Sequence, residues 1–131
     1  MKQELLLQFQ FEASHSLSGY ETPHPHLWKI KVAIEGKPIQ GRIIDLVVLR
    51  NRIQQLMDSL DQTDLNDCNG VSAQVNEFPT CETLAPFFYD KIQEILEKNF
   101  LPFSPSVRLT CVEVGLCDLL GVELGAIRLT I

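Results

Sequence analysis

The chain has 131 residues, with 11 Lys+Arg against 17 Asp+Glu and a formal net charge of −6 at pH 7. That length suits one domain spanning residues 1–131, and 45% hydrophobic with 21% charged residues excludes a disordered chain. A sequence pI of about 4.9 argues against a nucleic-acid partner, and no apolar run approaches the ~18 residues of a membrane span, so no membrane partner is expected. The start, Met1-Lys2-Gln3-Glu4, does not read as a signal peptide. With no C-x-x-C among them, Cys68, Cys81, Cys111 and Cys117 read as reduced thiols of a cytoplasmic protein.

Residues 5–15 alternate. Leu5, Leu7, Phe9, Phe11, Ala13 and His15 share one parity, and Gln8, Gln10, Glu12 and Ser14 the other. A period of two predicts a strand with one buried face. Residues 24–35 repeat it, with Trp28, Ile30, Val32 and Ile34 against Lys29, Lys31 and Glu35. Leu46, Leu49, Ile53, Leu56, Met57 and Leu60 then form one helical stripe, with Asp45 placed as N-cap. Residues 61–76 are polar and loop-like. A second helix follows Pro79-Thr80, with Thr80 as candidate cap, and Pro102 and Pro105 close it. Residues 107–114 and 122–131 read as two more strands, a hairpin around Leu119-Leu120-Gly121. The order β-β-α-α-β-β predicts an α+β domain, a four-stranded antiparallel sheet with two helices on one face. Unpaired edge strands invite other subunits, so a homo-oligomer is expected.

All three histidines lie between positions 15 and 26. His24 and His26 are i and i+2 on a strand and share the parity of Trp28, while His15 ends the first strand on its apolar parity. A hairpin pairing of the two strands brings three imidazoles together at one end of the sheet. Three neutral imidazole nitrogens with an open fourth position make the catalytic zinc arrangement. Glu113 continues the parity of Val107, Leu109 and Cys111, an uncomfortable place for a carboxylate. It marks either a bulge or strand end, or a carboxylate that anchors a planar ligand donating two N–H bonds.

Phe11-Glu12-Ala13-Ser14-His15 and His24-Pro25-His26 resemble the F-x-A-x-H and H-G-H elements of the 6-pyruvoyl-tetrahydropterin synthase family, including the QueD-type 6-carboxytetrahydropterin synthases. Gly41-Arg42-Ile43-Ile44-Asp45-Leu46 resembles G-x-[VI]-x-D-F, and Leu60-Asp61-Gln62-Thr63-Asp64-Leu65-Asn66 is similar to L-D-H-x-x-L-N. Pro79-Thr80-Cys81-Glu82-Thr83-Leu84-Ala85 resembles P-T-x-E-N-L-A, and Val112-Glu113 matches the family's pterin-anchoring glutamate. These elements run in order from about residue 9 to 115.

The resemblance implies the tunnelling fold, in which such subunits join into trimers and hexamers with sites at their boundaries. It implies Zn2+ on His15, His24 and His26, a small-molecule pterin substrate held by Glu113, and a side-chain lyase acting on 7,8-dihydroneopterin or its triphosphate. The relay departs from the family pattern. Tyr20 stands in place of the family's cysteine, Gln62 in place of the histidine after Asp61, and Pro25 in place of the glycine between two metal ligands. Tyr20 and Gln62 then become pocket residues that touch substrate. Glu21, three residues before His24, fits the E-x-x-H-G-H of a folate-pathway branch that cleaves a dihydropterin side chain to leave a hydroxymethyl group. Glu21 is the candidate base and Asp61 the candidate relay. The competing reading is a catalytically impaired homologue that only binds zinc and a pterin.

Overall fold

The computed structural model describes residues 1–17 and 21–131. In chain order it contains β1 (Glu4–His15), β2 (His24–Glu35), α1 (Leu46–Leu60), β3 (Thr63–Asp64), a 3-10 turn (Leu65–Asp67), α2 (Ala73–Glu77), α3 (Cys81–Asn99), β4 (Arg108–Cys117) and β5 (Glu123–Thr130). The strands form one sheet in the order β3-β1-β2-β4-β5. All neighbours are antiparallel except the two-residue β3, which runs parallel to β1 at Ala13 and Ser14.

The alternation of β1 and β2 puts Leu7, Phe9, Phe11 and Ala13 against Trp28, Ile30, Val32 and Ile34 on one buried face. Helix α1 packs on β1 and α3 on β4 and β5, and the two helices meet over a single core. Their starts follow from capping chemistry. Asp45 accepts from the Val48 N–H, while Thr80 and Thr83 form a reciprocal capping box in which each side chain accepts the other's backbone N–H.

Two departures from the sequence reading lie in residues 61–76, which are not a plain loop. They hold β3, giving five strands rather than four, and the short α2, capped by the Ser72 hydroxyl at the Val75 N–H. Such pieces are too short for periodicity to reveal, and side-chain hydrogen bonds hold them instead.

A third departure is the parity of β4. The register of β2 on β4 shifts between Ala33 and Ile34, so Ile34 faces Leu109 but Ala33 faces Cys111. One extra residue reverses every side chain beyond it. Core positions run from Leu109 to Val112 and Val114, and Cys111 and Glu113 turn to the face that the helices leave uncovered. There Glu113 accepts from the Arg128 Nε at 3.1 Å, with Lys31 Nζ at 3.9 Å. Glu113 is therefore satisfied by two cations and is not stranded on the apolar face.

Both borders of the sheet are thinly covered. Beyond β1 lies only β3, and β5 has no strand on its outer side among the described residues. The β4–β5 hairpin exposes Leu119, Leu120, Val122 and Leu124. Phe88 is fully buried in α3 and meets Phe11 edge-on at 6.0 Å. Phe88→Ala is expected to lower the unfolding free energy by about 3–5 kcal/mol, read by chemical denaturation.

Candidate metal centre

His15 and His24 are the last pair of the β1–β2 ladder, and His26 lies opposite Ala13, one step along the same face. The three ring centroids are 4.6, 5.0 and 4.9 Å apart. One potential ligand atom from each residue lies within 4.8 Å of the other two. Trp28 forms the floor, its ring 5.1 Å from that of His15 and its Nε1–H donating to the Ala13 carbonyl. His15 is buried, His26 half-buried and His24 exposed, so the cluster opens to solvent on one side.

The orientation of two rings is fixed from behind. His15 Nδ1 is 2.8 Å from the Pro79 carbonyl, and His26 Nδ1 is 2.9 Å from the Cys117 carbonyl. A carbonyl only accepts, so each Nδ1 carries the proton and each Nε2 keeps its lone pair for an ion. His24 Nδ1 lies 3.5 Å from the Thr22 carbonyl, a long contact that leaves this exposed ring the least constrained. Neutral imidazoles, a common face and an accessible fourth side fit a zinc ion. Burial, followed by the neighbouring His24 and His26, holds the His15 pKa below its ordinary value against the opposing pull of the Pro79 carbonyl and Glu21. His15 therefore stays neutral, and able to bind a metal, to lower pH than a free imidazole.

Glu21 lies beside the cluster, its Oε2 accepting from the Leu17 N–H at 3.0 Å. Asp61 and Gln62 sit on the outer border of β1. Asp61 Oδ1 accepts from the Glu12 N–H at 2.9 Å, and the Gln62 N–H donates to the Glu12 carbonyl at 2.6 Å. Gln62 adopts a φ of 62°, a left-handed conformation that costs a side-chain-bearing residue energy. Glu113 is not part of this cluster. It pairs with Lys31 on the opposite face, five ladder positions from His26. Tyr20 lies outside the described residues.

A sequence model of the 6-pyruvoyl tetrahydropterin synthase family matches residues 4–115. The chain belongs to this family. It is 24% identical over 98 residues to a dihydroneopterin monophosphate aldolase of Pyrococcus furiosus, covering 73% of this chain and 80% of that protein. It is 22% identical over 87 residues to a putative 6-pyruvoyl tetrahydrobiopterin synthase of Caenorhabditis elegans, covering 66% and 61%. The structure of the Caenorhabditis elegans 6-pyruvoyl tetrahydropterin synthase superposes with a TM-score of 0.72 at 16% identity, over 100% of this chain and 96% of that one. A Plasmodium vivax 6-pyruvoyltetrahydropterin synthase bearing a catalytic-residue replacement, glutamate to alanine, matches with a TM-score of 0.63 at 17% identity, over 100% and 99%. The fold is the family's tunnelling fold.

In this 6-pyruvoyl tetrahydropterin synthase homologue, two groups near the cluster, Asn66 and Cys81, have a place there that the sequence does not assign them. Asn66 clasps the backbone that leaves His15. Its Oδ1 accepts from the Ser16 N–H at 2.8 Å, and its Nδ2 donates to the Ser16 carbonyl at 2.9 Å and the Asn76 carbonyl at 3.2 Å. The signal was its place at the end of Leu60–Asn66. Cys81 begins α3, two residues beyond the Pro79 carbonyl that holds His15. A helix N-terminus ordinarily lowers a thiol pKa. Here burial and the adjacent Glu82 carboxylate win, and the thiol is pushed up to about 11. Cys81 is protonated near neutral pH and does not replace the family's missing cysteine as a base.

Equilibrium titration with zinc is expected to show one site per chain whose affinity falls as the pH is lowered, because proton and metal compete for the same imidazole nitrogens. His26→Ala should weaken that site by orders of magnitude. Asn66→Ala should weaken it less than His26→Ala does, because Asn66 holds the backbone that leaves His15 and not the ring itself.

Proposed function

We propose that the protein is a zinc-dependent lyase acting on the side chain of a dihydropterin, 7,8-dihydroneopterin or its triphosphate. The observation that carries this reading is the imidazole cluster, in which backbone carbonyls orient His15 and His26 and the charge of Glu21 is felt at His15. A bound zinc supplies Lewis acidity that lowers the pKa of a coordinated side-chain hydroxyl. Glu21 is the base. It takes the proton from the hydroxyl on the second side-chain carbon. The bond between the first and second carbons then breaks, its electron pair passing into the dihydropterin ring. Reprotonation of the first carbon leaves a hydroxymethyl group and releases an aldehyde. The Pyrococcus furiosus relative named as an aldolase supports this reaction over the synthase reaction, and the catalytic glutamate of the Plasmodium vivax synthase supports a glutamate as the base.

Tyr20 and Gln62 wall the pocket. The protein works as a homotrimer or homohexamer, a reading supported by the bare border of β5 and the exposed Leu119, Leu120, Val122 and Leu124. Asp61, on the outer border of β1, then serves as proton relay at a boundary between copies. Glu113, on the opposite face from the imidazoles and paired with Arg128 and Lys31, anchors the pterin of a neighbouring copy across such a boundary.

The test incubates zinc-loaded protein with dihydroneopterin and with its triphosphate and identifies the products. A hydroxymethyl dihydropterin is expected. Consumption of neither substrate, with pterin still bound, would support the impaired homologue, for which Gln62 speaks because an amide moves no proton near neutral pH. Glu21→Gln is expected to lower turnover by about 10²–10⁴-fold while leaving zinc affinity unchanged.

A further inference from the structure

The support of His15 continues past the Pro79 carbonyl. Pro79 is buried and, as a proline, has no N–H. Besides its own carbonyl, the turn around it therefore has two polar handles, the Phe78 carbonyl and the Thr80 N–H. One hydroxyl takes both. Thr83 Oγ1 donates to the Phe78 carbonyl and accepts from the Thr80 N–H at 3.2 Å, and that N–H also reaches the Phe78 carbonyl at 2.9 Å. Thr80 returns the contact. Its Oγ1 accepts from the Thr83 N–H at 3.3 Å, which ties the hydroxyl to the first turn of α3.

The Thr80 N–H and the Pro79 carbonyl are the two ends of one trans peptide plane and point in opposite directions. Holding the first therefore aims the second. A chain of bonds runs from His15 Nδ1–H to the Pro79 carbonyl at 2.8 Å, through the plane to the Thr80 N–H, and on to the Thr83 hydroxyl and the Phe78 carbonyl. Each donor in such a chain polarises the next, so a bond at the N–H end strengthens the carbonyl as an acceptor for His15. His26 is backed differently. The peptide that follows its Cys117 carbonyl is held at the Asp118 N–H by the Val122 carbonyl, 2.9 Å away, a contact between backbone groups alone. His24 has only the long contact to the Thr22 carbonyl. Of the three imidazoles, His15 is the one whose supporting peptide is held by a side chain.

Resting on the zinc reading of the cluster, we infer that Thr83 is a positioning residue of the metal centre, whose hydroxyl aims the Pro79 carbonyl and through it the His15 ring. It keeps His15 in the Nδ1–H tautomer and leaves Nε2 as the ligand atom, more basic for the bond behind it. The capping box of α3 thereby serves twice, starting the helix and setting one ligand.

The test compares Thr83→Val and Thr83→Ala, which lose the hydroxyl, with Thr83→Ser, which keeps it, and with Asp45→Ala, which removes the cap of a helix that holds no imidazole. Imidazole nitrogen NMR of the zinc-free protein at about pH 8, where the rings are neutral, reads the tautomer of each histidine. In Thr83→Val and Thr83→Ala, His15 is expected to lose its single Nδ1–H signature and to exchange its ring proton faster, with His26 unchanged. Zinc affinity is expected to fall about three- to tenfold, the worth of one hydrogen bond. Thr83→Ser should restore both readouts, and Asp45→Ala should lower stability without moving either. An unchanged His15 ring in the variants without the hydroxyl, a Thr83→Ser that behaves like them, or an equal loss of affinity in Asp45→Ala overturns the inference and leaves the zinc reading standing. A wild-type protein that binds no zinc overturns the zinc reading, and the ring spectra still decide the part played by Thr83.

Discussion

Two hydrogen bonds from ring nitrogen to backbone carbonyl hold the centre of this molecule together. The Pro79 carbonyl at the mouth of α3 and the Cys117 carbonyl at the end of β4 fix the back of His15 and His26. Each joins positions far apart in the chain, so the two rings reach their orientation only once the helix has docked and the sheet has closed. Trp28 beneath them is fully buried, which fixes the height of the cluster above the core. The cluster is thus a product of the fold, unlike a zinc finger whose metal does the folding. Its supporting bonds set the tautomer, and with it which nitrogen is free to act as a ligand.

The sheet separates two chemistries. One face carries the core and, at its far end, the imidazoles. The other is a concave surface where Glu4, Glu35 and Glu113 are interleaved with Lys31, Arg108 and Arg128, largely paired with one another. Alternation along β2 does this in a single strand, since His24, His26 and Trp28 point one way and Lys29 and Lys31 the other. The Lys29 and Lys31 side chains are thereby kept off the face that carries the imidazoles. The outer border of β1 meets that same end through Asp61 and Gln62, which places the left-handed Gln62 beside the proposed boundary between copies.

Most of the architecture was legible because long elements repeat their signal. Twelve residues of alternation in each of β1 and β2 define both strands and the face that His15, His24 and His26 share, and side-chain caps at Asp45 and Thr80 mark where α1 and α3 begin. Pairing the two strands then brings the imidazoles together with no further information. What was illegible depended on single residues. The shift beside Ala33 reverses the parity of β4 and moves Glu113 to the other face, and no pattern in residues 107–114 announces it. The segment 61–76 owes its shape to Asn66 and Asn76, whose amides bond backbone groups of Ser16, Leu65 and Cys68. Such contacts join distant positions and leave no periodicity. The state of Cys81 was equally hidden, because the competition between helix terminus and burial is decided by packing.

The account stands on three imidazoles of one chain holding one metal ion. X-ray absorption at the zinc edge of the metal-loaded protein tests this directly. The expected result is a shell of three imidazole nitrogens at about 2.0–2.1 Å completed by one oxygen ligand, reduced to two imidazoles in His24→Ala. A shell containing sulfur at about 2.3 Å, or one unchanged by that substitution, would contradict it.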